Sequence, residues 1–140
     1  IILAGRRLND SMGEYVASQI VKLMIRRERK ILGAKVLMLG ITFKEDCPDI
    51  RNTRAIDIYK ELRSYDIVTD VYDPWANAAE VKAEYGIDLV QDLGSNYAAV
   101  VLTVSHDKFK EINLEDLKAK NAVVFDTKSF FNPQEIDARL

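Results

Sequence analysis

One cysteine, Cys47, and one histidine, His106, are all that these 140 residues offer of the two side chains most used as metal ligands and nucleophiles. A single thiol excludes an internal disulfide and suits a reducing compartment, so a cytoplasmic protein is expected. Neither charge sign dominates. The 20 Lys and Arg against 22 Asp and Glu leave a net −2, which argues against a broadly basic nucleic-acid binder and leaves room for a local cationic pocket. No apolar run approaches the roughly 18 residues of a membrane-spanning helix. No charged segment leads into an apolar core and a small-residue cleavage site, so no signal peptide is expected. Repeats and low-complexity tracts are absent. The six glycines never fall into G-x-G-x-x-G or P-loop spacing, which removes the dinucleotide and Walker fingerprints. The sequence opens without Met, on Ile1-Ile2-Leu3-Ala4-Gly5, and reads as a piece of something longer whose missing part would hold the chemistry.

What is present fits one globular domain with a real core. Asn9 to about Ile31 has helical periodicity, with Asn9 or Asp10 as cap and a capping-box spacing from Ser11 to Glu14. At about 100° per residue, Leu8, Met12, Tyr15, Val16 and Leu23 fall on one side and Ala17, Ile20, Val21, Met24 and Ile25 on much of the rest. A helix so widely apolar is expected to touch two bodies. Its cationic end, Arg26 to Lys30, reads as a solvated last turn closed by Gly33. Strands and helices then alternate. Strands are expected at Lys35–Leu39, Ile67–Tyr72, Asp88–Val90, Ala98–Val104 and Ala122–Phe125, and helices at Thr53–Tyr65, Ala76–Tyr85 and Leu114–Ala119. Fully apolar strands alternating with helices mean a parallel sheet covered on both faces. The expected fold is α/β, a Rossmann-like three-layer sandwich with a mostly parallel sheet of five or six strands, preceded by the long N-terminal helix.

Ligands in such sheets bind beyond the carboxyl ends of the strands. Four segments leave those ends: Gly40 to Thr53, Asp73-Pro74-Trp75, Ser105-His106-Asp107 and Asp126-Thr127-Lys128. The first is far longer than the usual connection of about 2–6 residues, and long connections are often functional. It carries an aromatic ring at Phe43, a cation beside it at Lys44 and a second at Arg51, ahead of a helix that Asn52 or Thr53 can cap. Such a set could hold a base and phosphates. Equally, Phe43 could belong to the core, with the charges merely solvated.

The run Gly40-Ile41-Thr42-Phe43-Lys44-Glu45-Asp46-Cys47-Pro48-Asp49-Ile50-Arg51-Asn52-Thr53 resembles the G-x-x-F-K-x-x-x-x-D-x-R-x-[ST] motif of the UDP-glucose/GDP-mannose dehydrogenase family. Ala4 to Met12 resembles the start of that family's central helix, and Val71-Tyr72-Asp73-Pro74 the end of the second strand of its C-terminal domain. The variant Cys-Pro-Asp-Ile-Arg-Asn-Thr looks most like bacterial UDP-N-acetylhexosamine dehydrogenases of surface-polysaccharide synthesis. The resemblance covers the whole chain. It implies an NAD-dependent enzyme that oxidises the sugar C6 alcohol to a carboxylate, with NAD and the catalytic residues held mainly by an N-terminal domain whose motifs do not occur here. The chain alone is therefore expected to be inactive. The resemblance also implies substrate contacts from Phe43 and Lys44, an NAD contact from Arg51, and a homodimer through the central helix. Lys128 stands where many family members carry an Arg on the nucleotide sugar, and a lysine cannot repeat that bidentate contact.

On this reading residues 1–33 form a linking and dimerisation helix and residues 34–140 a UDP-sugar-binding domain, with no catalytic residue, metal, nucleic-acid or membrane contact expected. The sugar stays open among N-acetylglucosamine, N-acetylgalactosamine, N-acetylmannosamine and glucose. The alternative is a non-catalytic nucleotide-binding or dimerisation module. Other conspicuous residues get plain readings: Cys47 a free loop thiol, Asp73 an Asp-Pro turn rather than a ribose ligand, and His106 near the cleft without an acid partner. Asp46 and Asp49 are read as holding Lys44 or Arg51 in position, and Trp75 as packing under the loop.

Overall fold

The computed structural model describes residues 12–140. The caps expected at Asn9, Asp10 and Ser11 lie outside the described residues. Helix α1 spans Met12–Arg26 and buries Gly13, Val16, Ala17, Ile20, Val21 and Met24. These residues pack on α2, Ala55–Ser64, and on the sheet. A Cβ on Gly13 would lie 2.7 Å from the Asp57 carbonyl carbon, so glycine lets the two helices approach this closely. Much of the wide apolar surface is thus covered within the chain itself, while Met12, Tyr15 and Ile25 remain exposed.

The helix stops at Arg26, short of the expected Ile31. Glu28 turns left-handed at φ 60°, and the Arg29 N–H closes the end by donating to the Met24 carbonyl at 2.9 Å. The cationic run is not simply solvated. Arg27 donates to the Ala122 carbonyl at 2.7 Å and pairs with Asp137, while Arg29 donates to the Lys120 carbonyl at 2.7 Å. Backbone carbonyls far along the chain anchor two of these guanidiniums, and their local sequence carries no sign of it.

Five parallel strands form one sheet in the order β2-β1-β3-β4-β5. They are β1 Lys35–Leu39, β2 Val68–Tyr72, β3 Tyr97–Leu102, β4 Lys118–Asp126 and β5 Ala138–Arg139. Helix α3, Ala78–Tyr85, starts on Asn77, whose side chain accepts from the Glu80 N–H, and ends on left-handed Gly86. The four-residue α4, Leu114–Leu117, yields to β4 two residues before its expected end. Asp88–Val90 is not a strand. Val90 makes one ladder-like bond, to the Val71 carbonyl at 2.9 Å, and the segment is too short to extend the sheet. The two-residue β5 went unanticipated because it has no apolar run.

Alternate strand residues feed two cores. Val36, Met38, Val71, Ala99, Val101, Val123 and Phe125 face α1, α2 and α3. Leu37, Leu39, Val100, Leu102 and Val124 face Phe109, Leu114 and Leu117. Strands buried on both faces account for the unbroken apolar runs in the sequence.

Candidate functional site: the carboxyl edge of the sheet

The chain runs outward from β1 to β2, then crosses back to β3 on the other side of β1. Such a reversal is where open α/β sheets form their ligand crevice, which here falls at the carboxyl ends of β1 and β3. Neighbouring strand exits are tied together there. Gly40 N–H donates to the Tyr72 carbonyl, Thr103 N–H to Leu39 and Thr127 N–H to Leu102. Gly40 has φ 107°, and a Cβ on it would sit 2.5 Å from that of Val104. No other residue fits so close a crossing.

The long connection after β1 leaves this crevice. Ile41 and Thr42 are buried and Phe43 to Asp46 are exposed. Phe43 is 56% exposed, so it is not a core residue; its N–H donates to the Asp49 carbonyl at 2.7 Å. The Lys44 side chain is exposed beside it. Arg51 is gripped by Asp49, with Nε to Oδ1 at 3.0 Å and Nη2 to Oδ2 at 3.1 Å. That side-chain bond, followed by the Arg51 N–H, holds the Asp49 carboxyl down at about 2. The reading of Asp49 as a positioning carboxylate is met; Asp46 instead accepts from the Asp107 N–H at 2.9 Å. Thr53 accepts from the Ala55 N–H at the head of α2 and donates to the Thr42 carbonyl, both at 3.2 Å. Arg51 lines a groove of about 640 Å³ together with Cys47, Trp75 and Glu80.

Lys128 follows β4 and is exposed. Its N–H donates to Asp126 Oδ1 at 2.9 Å, and Asp126 Oδ2 takes the N–H groups of Phe130 and Phe131. Buried Asp126 therefore shapes the turn that carries Lys128. Cys47 is a free, half-buried thiol. Trp75 is 42% exposed, with its ring centroid 6.3 Å from that of His106. Among the described residues no cluster of His, Cys, Asp and Glu could hold a metal ion.

His106 has the acid partner that the sequence did not reveal. It is fully buried, with Nε2 3.0 Å from Asp73 Oδ2 and 3.1 Å from Thr42 Oγ1. Asp73 also accepts from Ile41 and Thr42 N–H through Oδ2, and from Trp75 and Ala76 N–H through Oδ1. Burial pushes the Asp73 pKa up, but the bonds from His106, Ile41 and Trp75 outweigh it and leave it below its ordinary value. Both oxygens are committed inside the protein, as the Asp-Pro turn reading requires. The two partners stand far apart in sequence, and only the side-by-side exits of β1, β2 and β3 bring them together.

Sheet order and crevice define the doubly wound α/β class that takes its ligand at a strand-order reversal. Within that class the chain belongs to the UDP-glucose/GDP-mannose dehydrogenase family: residues 37–133 match the model of the family's UDP binding domain. It is 47% identical to a UDP-N-acetyl-D-glucosamine 6-dehydrogenase of Salmonella typhi, over 100% of this chain and 34% of that protein. Against the enzyme of the same name in Pseudomonas aeruginosa identity is 46%, again over 100% of this chain and 34% of the relative. The chain therefore spans about a third of the length of the curated relatives it matches. The solved UDP-N-acetyl-mannosamine dehydrogenase Cap5O from S. aureus superimposes with a TM-score of 0.74 at 27% identity, covering 96% of this chain and 31% of that one. A Methanosarcina mazei NDP-N-acetyl-D-galactosaminuronic acid dehydrogenase shares the fold, with a TM-score of 0.81 at 24% identity over 95% of this chain and 28% of that one.

Proposed function

We propose that this chain is the UDP-sugar-binding part of an NAD-dependent nucleotide-sugar 6-dehydrogenase. The observation that carries the reading is the exposed Phe43-Lys44 pair, on a long connection that leaves the strand-order reversal. An ammonium there can meet the diphosphate, and an exposed ring can cover a base or sugar face. Lys128, exposed beyond β4, is assigned to the same ligand. Residues 1–33 are assigned to the linking helix and 34–140 to the binding domain.

The reaction removes four electrons from the sugar C6 alcohol. With one water it yields the carboxylate, two NADH and three protons. The two hydride transfers need NAD, for which this sequence has no glycine fingerprint, so most of the cofactor site belongs to another domain. Arg51 suits a supporting contact to it, because Asp49 orients the guanidinium while 82% of the side chain stays exposed. The names of the two relatives that match the whole chain make UDP-N-acetyl-D-glucosamine the first sugar nucleotide to test. The product is a uronic acid, assigned to surface polysaccharide on the resemblance of the Cys47 to Thr53 motif to the bacterial UDP-N-acetylhexosamine dehydrogenases of that synthesis. A cytoplasmic homodimer is part of the same reading, supported by the exposed apolar residues left on α1.

Calorimetric titration of UDP into the chain tests the assignment. Lys44→Ala removes a charge-assisted contact, typically about 1.5–3 kcal/mol, and should weaken UDP by at least about tenfold. Equal affinity in wild type and variant would remove the assignment.

A further inference from the structure

We propose that His106 and Thr42 are positioning residues for the nucleotide, holding the backbone that presents Phe43 and Lys44 in its binding shape. The inference rests on the UDP-binding reading and concerns two side chains that cannot touch the ligand themselves, since His106 is 0% and Thr42 1% exposed.

The directions of the hydrogen bonds carry the argument. The Asp46 N–H donates to His106 Nδ1 at 2.9 Å. That nitrogen is therefore an acceptor, and the imidazole proton sits on Nε2. From there it reaches Asp73 Oδ2 and Thr42 Oγ1. The Thr42 hydroxyl spends its own proton on the Lys44 carbonyl at 2.9 Å. One imidazole thus fixes the loop twice, at Lys44 through a hydroxyl relay and at Asp46 directly. Asp46 Oδ1 returns the clasp by accepting from the Asp107 N–H at 2.9 Å, beside the histidine. Ile41 and Thr42 are held by Asp73 from the same cluster.

The loop needs this restraint. Asp46 lies at φ 54°, in the left-handed region that is uncommon for non-glycine residues, though less so for Asp, and the bond from its N–H to His106 helps to hold it there. Without the Nδ1 acceptor, the Asp46 N–H would be freed to turn toward water. The Phe43 and Lys44 side chains are exposed, so their placement depends on this backbone. Pre-set geometry strengthens binding because the ordering cost is met before the ligand arrives.

The conservative test is Thr42→Val, which keeps the shape and both bonds from the 41–42 backbone to Asp73 but cuts the relay to Lys44. Thr42→Ser keeps the hydroxyl. UDP is titrated by calorimetry into wild type, Thr42→Val, Thr42→Ser, His106→Phe, Lys44→Ala and the Thr42→Val/Lys44→Ala double variant, with a thermal melt of each. Thr42→Val should weaken UDP about threefold to tenfold, the range of one neutral hydrogen bond. Thr42→Ser should restore it to within about twofold, and the Thr42→Val effect should shrink to under about twofold once Lys44 is gone.

An unchanged UDP affinity in Thr42→Val, or a full loss persisting in the Lys44→Ala background, overturns the positioning role while leaving the binding reading intact. An unchanged affinity in Lys44→Ala, or no UDP binding by wild type, overturns the binding reading and this inference with it. If His106→Phe fails to fold, the Thr42 series still decides. Because His106 is the only histidine, its ring nitrogen resonances are unambiguous. They should report the Nε2–H tautomer, and the Nδ1–H tautomer would contradict the assigned bonding.

Discussion

Asp73 shows how one carboxylate can organise a site without entering its chemistry. Five donors converge on its two oxygens, four of them backbone N–H groups from the exits of β1 and β2. Its pKa is lowered in the folded chain. The stability it contributes is therefore fully present above the unfolded carboxylate value of about 3.9, and is lost as pH falls through the lower folded value. Asp73→Asn should cost about 1–3 kcal/mol at neutral pH, because an amide cannot accept from all of these donors. Thermal melts between pH 7 and pH 3 check this. The deficit of the variant should be largest at neutral pH and narrow at the acid end; a constant deficit would show that the charge is not what counts. None of this network was legible in the sequence. Asp73 could be read as a turn residue from its Pro neighbour, and Phe43, Lys44 and Arg51 stood out by type and spacing. His106 bonds to residues of other strand exits, and no local pattern records such partners.

The strands that read best, β1, β3 and the second half of β4, carry an unbroken apolar run that is buried on both faces. β1 matches its expected limits, Lys35–Leu39, and α3 stops on the glycine that its sequence offers. Reading failed where an element is held by distant backbone. β5 pairs through two residues, and the end of α1 is set by the reach of Arg27 and Arg29 to carbonyls of β4. The same helix shows what apolar width can and cannot say. Ile20 and Met24 have no exposed surface, so charging them would disrupt the chain's own core rather than probe a partner. The informative positions are Tyr15, 53% exposed, and Ile25, 58% exposed. A double Tyr15→Glu, Ile25→Glu variant should leave the melting temperature within a few degrees, since exposed sites carry little of the core. It should also lower the average mass seen by light scattering at high concentration. A wild-type chain that stays monomeric throughout the series would contradict association through this face.

For the whole molecule, topology and electrostatics point to the same edge. Sheet order puts the crevice between the exits of β1 and β3. The buried Asp73, His106 and Thr42 cluster fixes the backbone there, and exposed Phe43 and Lys44 stand on it. The opposite edge holds a different arrangement, in which the Tyr97 hydroxyl donates to Asp70 at 2.8 Å and the Lys35 ammonium lies 4.6 Å from the Tyr97 ring centroid. Burial first, and then the Asp70 bond, push that phenol's pKa well above its ordinary value. Every group of this second cluster is occupied by another, which suits packing rather than ligand capture. The most direct measurement is an NMR map of amide shifts during a UDP titration of the chain. The account predicts saturable changes at 41–46 and 103–107, with smaller ones near Lys128, and none at Lys35, Asp70 or Tyr97. Shifts centred on that other edge, or no saturable shifts at millimolar UDP, would contradict it.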